Sequence, residues 1–150
     1  MSSIICATRA GEGSRAVQLA AIDQAKANGQ NVVFLYIIET DQINRVDESL
    51  RSSMRAELYW LAKTLLRIAE QRALSAGVRA ELLTREGQIR DEINQVVLSS
   101  DANCLLLGAP RQNKTDKFDT EEIEAFAQSI AEFNGITVKI IRPSDNNLGK

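Results

Sequence analysis

Two cysteines, one glycine-rich tetrapeptide and two groups of basic residues are the features of this sequence whose types and spacing could do chemistry. Cys6 and Cys104 each sit inside an apolar run, which suits a reduced, buried thiol better than a disulfide framework. If those runs are parallel neighbouring strands with Thr8 level with Gly108, the cysteines are staggered by two residues. Strand rise and spacing then hold their Cα atoms roughly 8 Å apart, beyond disulfide reach. Gly11-Glu12-Gly13-Ser14 precedes a helical pattern and superficially suggests a phosphate cradle, because glycine admits close backbone approach and a helix N-terminus favours anions. A lone Gly-x-Gly without a full nucleotide fingerprint is ordinary loop punctuation, and that reading is preferred here. Arg9 and Arg15 follow the first apolar run, and Arg111, Lys114 and Lys117 follow the fourth, interleaved with Glu12, Asp116 and Asp119. Such a set can hold a small anion, or it can close on itself in salt bridges such as Arg9 with Glu12 or Asp119.

Composition removes several chemistries at once. The sequence has no histidine, which takes away the commonest general base, every Ser/His/Asp or Cys/His nucleophile system and the usual zinc sites. Eighteen basic residues against 20 acidic ones leave a formal net charge of −2, so no global field draws the chain to nucleic acid or anionic lipid. Aromatic residues make up only 5%, too few for base-stacking platforms. The first residues show neither a basic leader nor a long apolar run, and no stretch approaches the length of a membrane span. The expectation is a cytoplasmic protein without membrane insertion.

Five short apolar runs alternate with amphipathic stretches, and these are the elements that must position the candidate residues. Strand one is Ile4 to Thr8, and Ser14 is placed to cap a helix that runs to about Asn28 and stops at Gly29. That helix has a small-residue face of Ala16, Val17, Ala20 and Ala21. Val32 to Ile38 is a continuous apolar run, the pattern of a strand covered on both faces. A polar connection leads to a long helix from about Glu48 to Ala76, with Leu50, Met54, Leu58, Leu61, Leu65 and Ile68 read as its buried stripe. An edge strand is expected from Val78 to Thr84, then a helix bearing Ile89, Ile93, Val96 and Val97. Cys104 to Leu107 forms strand four, ending at Gly108; Asp119 or Thr120 caps the last helix, and Ile136 to Ile141 forms strand five. Strict alternation implies right-handed crossovers and a parallel sheet with helices on both faces. We read one domain over residues 1–143 and a flexible tail over 144–150.

From Ile4 to Arg142 the chain resembles the universal stress protein family. The resemblance rests on the order and length of the elements, on Gly77-Val78-Arg79-Ala80-Glu81-Leu82-Leu83, on Glu86-Gly87, and on the segment from Asp101 to Gly108. It implies a three-layer α/β/α fold of the adenine-nucleotide α-hydrolase type, a five-stranded parallel sheet in the order 3-2-1-4-5. It also implies a ligand crevice where the strand order reverses, above strands one and four. The ligand-lining set expected from it is Thr8, Arg9, Ile37, Gly108, Arg111, Lys114 and Thr120. Nucleotide-binding members carry an aspartate after strand one, then Gly-Ser, and after strand four a Gly-x-x-Gly with a later Gly-Ser/Thr. Here Arg9 occupies the aspartate position, Ala10 and Gly11 stand in place of Gly-Ser, and Gly108 is followed by Ala109-Pro110-Arg111. Pro110 has no N–H to offer a phosphate, and Asp119-Thr120, the nearest match to the closing pair, would repel one.

These departures lead to a non-enzymatic stress-response domain that requires no cofactor and acts through protein contacts as a homodimer. The family resemblance places the dimer contact on Thr137 to Ile141. Tyr59, Trp60 and the long helix offer a second surface for a protein partner. The alternative is an adenine-nucleotide or other small-anion module whose phosphates rest on the side chains of Arg9, Arg111, Lys114 and Lys117. A third reading, weak ATP hydrolysis of the related α-hydrolases, lacks support in the residues, since Arg9 to Ser14 does not carry their Ser-Gly-Gly-x-Asp-Ser loop.

Overall fold

The structure, a computed structural model, describes residues 2–8, 12–108 and 120–141, without the side chains of 12–14 and 120–121. The aliphatic runs form five strands: β1 (Ser3–Thr8), β2 (Asn31–Glu39), β3 (Ala80–Gly87), β4 (Cys104–Gly108) and β5 (Thr137–Ile141). Between them lie α1 (Glu12–Asn28), the short α2 (Thr40–Asn44), a 3-10 turn at Glu48–Leu50, α3 (Arg51–Ser75), α4 (Ile89–Ser99) and α5 (Thr120–Asn134). The strands build one sheet in the order β3-β2-β1-β4-β5, and every pairing is parallel. The expected strand order and alternation are those of the molecule.

Alternation of side chains along each strand divides the core into two layers. Ile4, Cys6, Phe34 and Tyr36 point to the face packed by Val17, Ala21 and Ala25 of α1 and by Ala62, Leu66, Ala69 and Ala73 of α3. Ile5, Leu35, Leu105 and Leu107 point to the other face, packed by Ile93 and Val96 of α4 and by Ile123, Phe126 and Ile130 of α5. Full burial of a side chain the size of Phe34 contributes about 1.5–3 kcal/mol, so the shared sheet is the main source of stability. Ile4 pairs with Cys104 and Cys6 with Leu106. The two cysteines are thus offset by two residues, buried and free.

Three helices end where a left-handed glycine stops them: Gly29 (φ 68°), Gly77 (φ 78°) and Gly135 (φ 68°). The amides of Gln30 and Val78 donate to the carbonyls of Ala25 and Ala73, each at 2.9 Å, which satisfies carbonyls the helices leave open. The amino end of the sheet is closed by side chains. Gln30 Nε2 donates to Ser2 Oγ (2.8 Å) and Asn103 Oδ1 (3.1 Å), and Ser3 Oγ donates to Asp101 Oδ1 (2.9 Å). Asn103 bridges the strands on either side of β4, its amide bonded to the Ser3 carbonyl and its carbonyl to the Thr137 amide.

Four sequence expectations shift. The first helix begins at Glu12, so Ser14 lies inside it rather than capping it, and Gly13 is helical rather than part of a loop. The third strand runs Ala80–Gly87, later than Val78 to Thr84, because Arg85 and Glu86 are strand residues whose charges are paired with Glu92 and Arg55. The polar connection after β2 contains the one-turn helix α2, which buries Ile43. The buried stripe of α3 is Ala62, Leu66, Ala69 and Ala73 rather than the leucine row. Met54, Leu58 and Leu65 only border the core, and Leu50 and Ile68 are exposed. Alanine lets the helix lie close to the sheet, and the larger leucines are turned to its sides.

Candidate functional site

The carboxyl ends of β1 and β4 meet where the strand order reverses, the place at which open α/β sheets form a ligand crevice. Ala7 pairs with Leu107 and Thr8 with Tyr36, so one more step in the same register sets Thr8 beside Gly108. Ile37 stands one residue above the Thr8 level on β2, with its side chain on the α4 and α5 face. The fold therefore brings Thr8, Ile37 and Gly108 to one end of the sheet, as expected. Thr8 is buried, and its hydroxyl donates to the Leu35 carbonyl at 3.2 Å. That bond ties β1 to β2 and satisfies a buried hydroxyl.

Thr120 opens α5 at the same end of the chain's fourth crossover, and its backbone is helical. Arg9, Arg111 and Lys114, together with Lys117, Asp116 and Asp119, lie outside the described residues. Arg15 is exposed near the start of α1. Cys6, two residues before Thr8, is no nucleophile: complete burial pushes its thiol far above the ordinary range and keeps it protonated. No group of three His, Cys, Asp or Glu side chains able to hold a metal exists among the described residues. No helix among them is long and apolar enough to cross a membrane.

A second constellation lies at the β3 edge, where α3 runs alongside the outermost strand. Glu86, near the end of β3, receives both Nε (3.2 Å) and Nη2 (3.1 Å) of Arg55 and the hydroxyl of Tyr59 (3.1 Å). The hydrogen bonds from Arg55, aided by the one from Tyr59, hold the Glu86 carboxyl below the usual carboxylate range. Partial desolvation, followed by the bond to Glu86, raises the Tyr59 hydroxyl. One helical turn further along α3, a groove of about 480 Å³ opens between helix and strand. It is lined by Tyr59, Trp60, Lys63, Leu66 and Arg67 of α3 and by Leu82 and Thr84 of β3. Trp60 is 67% exposed and Tyr59 41%. Lys63 and Arg67 form no ion pair among the described residues.

Sequence reading singled out Tyr59 and Trp60 as a partner surface but missed Lys63, Arg67, Leu82 and Thr84. The helical spacing of 60, 63 and 67 was visible as one stripe. Its position beside a strand fifteen or more residues away was not.

A family model for the universal stress protein family matches residues 1–118. Among solved structures, the chain is similar to the universal stress protein UspA from Lactobacillus plantarum: 16% identity, TM-score 0.71, 94% of this chain and 97% of that one covered. It is similar to a universal stress protein solved in complex with cAMP, with 18% identity, TM-score 0.63 and coverage of 95% and 97%. It is also similar to the universal stress protein from Archaeoglobus fulgidus in complex with dAMP, with 18% identity, TM-score 0.60 and coverage of 94% and 98%. No curated protein matches.

Proposed function

The chain belongs to the universal stress protein family, and we propose that it is a non-enzymatic, cytoplasmic stress-response regulator that acts as a homodimer through protein contacts. The observation that carries this reading is the open β5 edge. Among the described residues Thr137–Ile141 pairs only with β4; it mixes exposed and half-buried residues and follows a helix whose Phe133 is 83% exposed. An unpaired strand edge and a large exposed aromatic in the preceding helix are features suited to a second strand and a hydrophobic anchor. The absence of histidine removes the commonest general base, and Pro110, which has no N–H, withholds a backbone donor from phosphate, so both weigh in the same direction. Analytical ultracentrifugation tests the reading. A dimer at micromolar concentration, weakened about tenfold by Phe133→Glu, is expected for a residue at the centre of a contact; a monomer across that range would overturn it.

A second reading has its own support in the two relatives solved with cAMP and dAMP. In it, an adenine nucleotide or other small anion lies above Thr8, Ile37 and Gly108, and its phosphates rest on Arg9, Arg111, Lys114 and Lys117. Titration calorimetry with ATP, AMP and cAMP separates the two readings. Micromolar binding lost in Arg9→Ala and Arg111→Ala favours the nucleotide module, and no heat of binding at millimolar nucleotide favours the regulator.

A further inference from the structure

The groove between α3 and β3 has three properties that converge on one kind of occupant. First, β3 is the other end of the sheet: among the described residues its eight residues pair with β2 alone, and they contain neither proline nor a bulge. Its outward backbone groups are a ready template for an added strand. Second, Trp60, Tyr59, Leu66 and Leu82 line the space that one face of such a strand would meet. Third, Lys63 and Arg67 stand in the same groove without a carboxylate partner among the described residues, in a chain whose net charge is negative.

We propose that the β3 edge and the α3 groove together bind an extended, acidic and apolar segment of another protein by strand addition. Backbone hydrogen bonds to β3 supply affinity. The segment's apolar side chain packs on Trp60 beside Thr84, and a carboxylate two residues away on the same face meets Lys63 and Arg67. The direction is set by the helix. Tyr59 lies beside Glu86, near the carboxyl end of β3, so the apolar position falls toward that end and the acidic position toward Ala80. A second copy of this chain is the poorer occupant, because its own Lys63, Arg67 and α3 would enter the same space and bring like charges together. The inference rests on the regulatory reading and deepens it by giving the partner its chemistry. Sedimentation reports the β5 dimer separately from the groove, so either can fail alone.

Trp60 is the only tryptophan in the chain, which makes its fluorescence a reporter of this groove. The probe is a pool of blocked octapeptides drawn from Asp, Glu, Val, Ile and Phe, with a control pool in which Lys and Arg replace the acids. The acidic pool is expected to shift Trp60 emission to the blue with saturation. The Lys63→Glu/Arg67→Glu variant, with unchanged circular dichroism, should weaken that binding at least about tenfold, as lost charge complementarity requires. Methylation of alternate peptide amides should abolish binding, and calorimetry on Trp60→Ala should show reduced affinity. The proposal is overturned if the acidic pool leaves Trp60 unmoved at millimolar concentration, if the basic pool binds as well, or if charge reversal or amide methylation changes nothing.

Discussion

The two edges of the sheet expose backbone in different settings. At β5 the strand is short, five residues, and the helix before it carries the exposed Phe133. At β3 the strand is eight residues long, and a 25-residue helix runs beside it, clamped by Arg55, Tyr59 and Glu86 and carrying a line of Trp60, Lys63 and Arg67. A self-complementary contact needs a patch that can face its own image, and among its described residues the strand Thr137–Ile141 carries only the single charge of Lys139. The β3 edge differs: its cations favour a partner of opposite charge. Difference in flanking chemistry, rather than in the strands themselves, is the ground on which we propose a second copy for one edge and a different protein for the other.

The largest expected effect strikes both edges together. Phe34, fully buried in β2 between them, should cost about 3–5 kcal/mol on replacement by alanine. Urea melts followed by circular dichroism check this, and peptide binding and dimerisation should fall in step with the folded fraction. Next, Phe133→Glu should weaken self-association about tenfold in sedimentation while leaving the binding of acidic peptides unchanged. Conversely, Lys63→Glu/Arg67→Glu should leave the sedimentation coefficient as in the wild type; a loss of dimer in that variant would merge the two edges. The smallest effect belongs to Glu86. Its folded-state pKa is lowered, so its contribution to stability is present above the unfolded value and is lost as pH falls through the folded one. The melting temperature of Glu86→Gln should therefore lie slightly below wild type at pH 7, and the gap should close in the acid range below about pH 4.

The order of elements was legible because β-branched runs, alternating helical patterns and the stops at Gly29, Gly77 and Gly135 all speak through local chemistry. So was the cysteine register, which needed only parallel neighbours and the level of Thr8. Two features resisted for the same reason. Leucines advertise a buried stripe by size, but α3 approaches the sheet through Ala62, Ala69 and Ala73, whose burial depends on how close the helix lies. Arg85 and Glu86 read as lying beyond the strand, in the lead into the next helix, until their partners, Glu92 and Arg55, are seen. The shared position of Thr8, Ile37 and Gly108 at one end of the sheet was legible from strand order alone. The sequence could not show that the Thr8 hydroxyl is taken by the Leu35 carbonyl. The α3 groove was only half visible, since Trp60 announces itself while Leu82 joins it through tertiary packing alone.

Amide hydrogen exchange read along both edge strands tests the assignment of the two edges most directly. Raising the concentration of the protein alone should slow exchange in Thr137–Ile141 and leave Ala80–Gly87 unchanged, and adding the acidic octapeptide pool should slow exchange in Ala80–Gly87 only. Protection of β3 on self-association, or of β5 by the acidic pool, would contradict it.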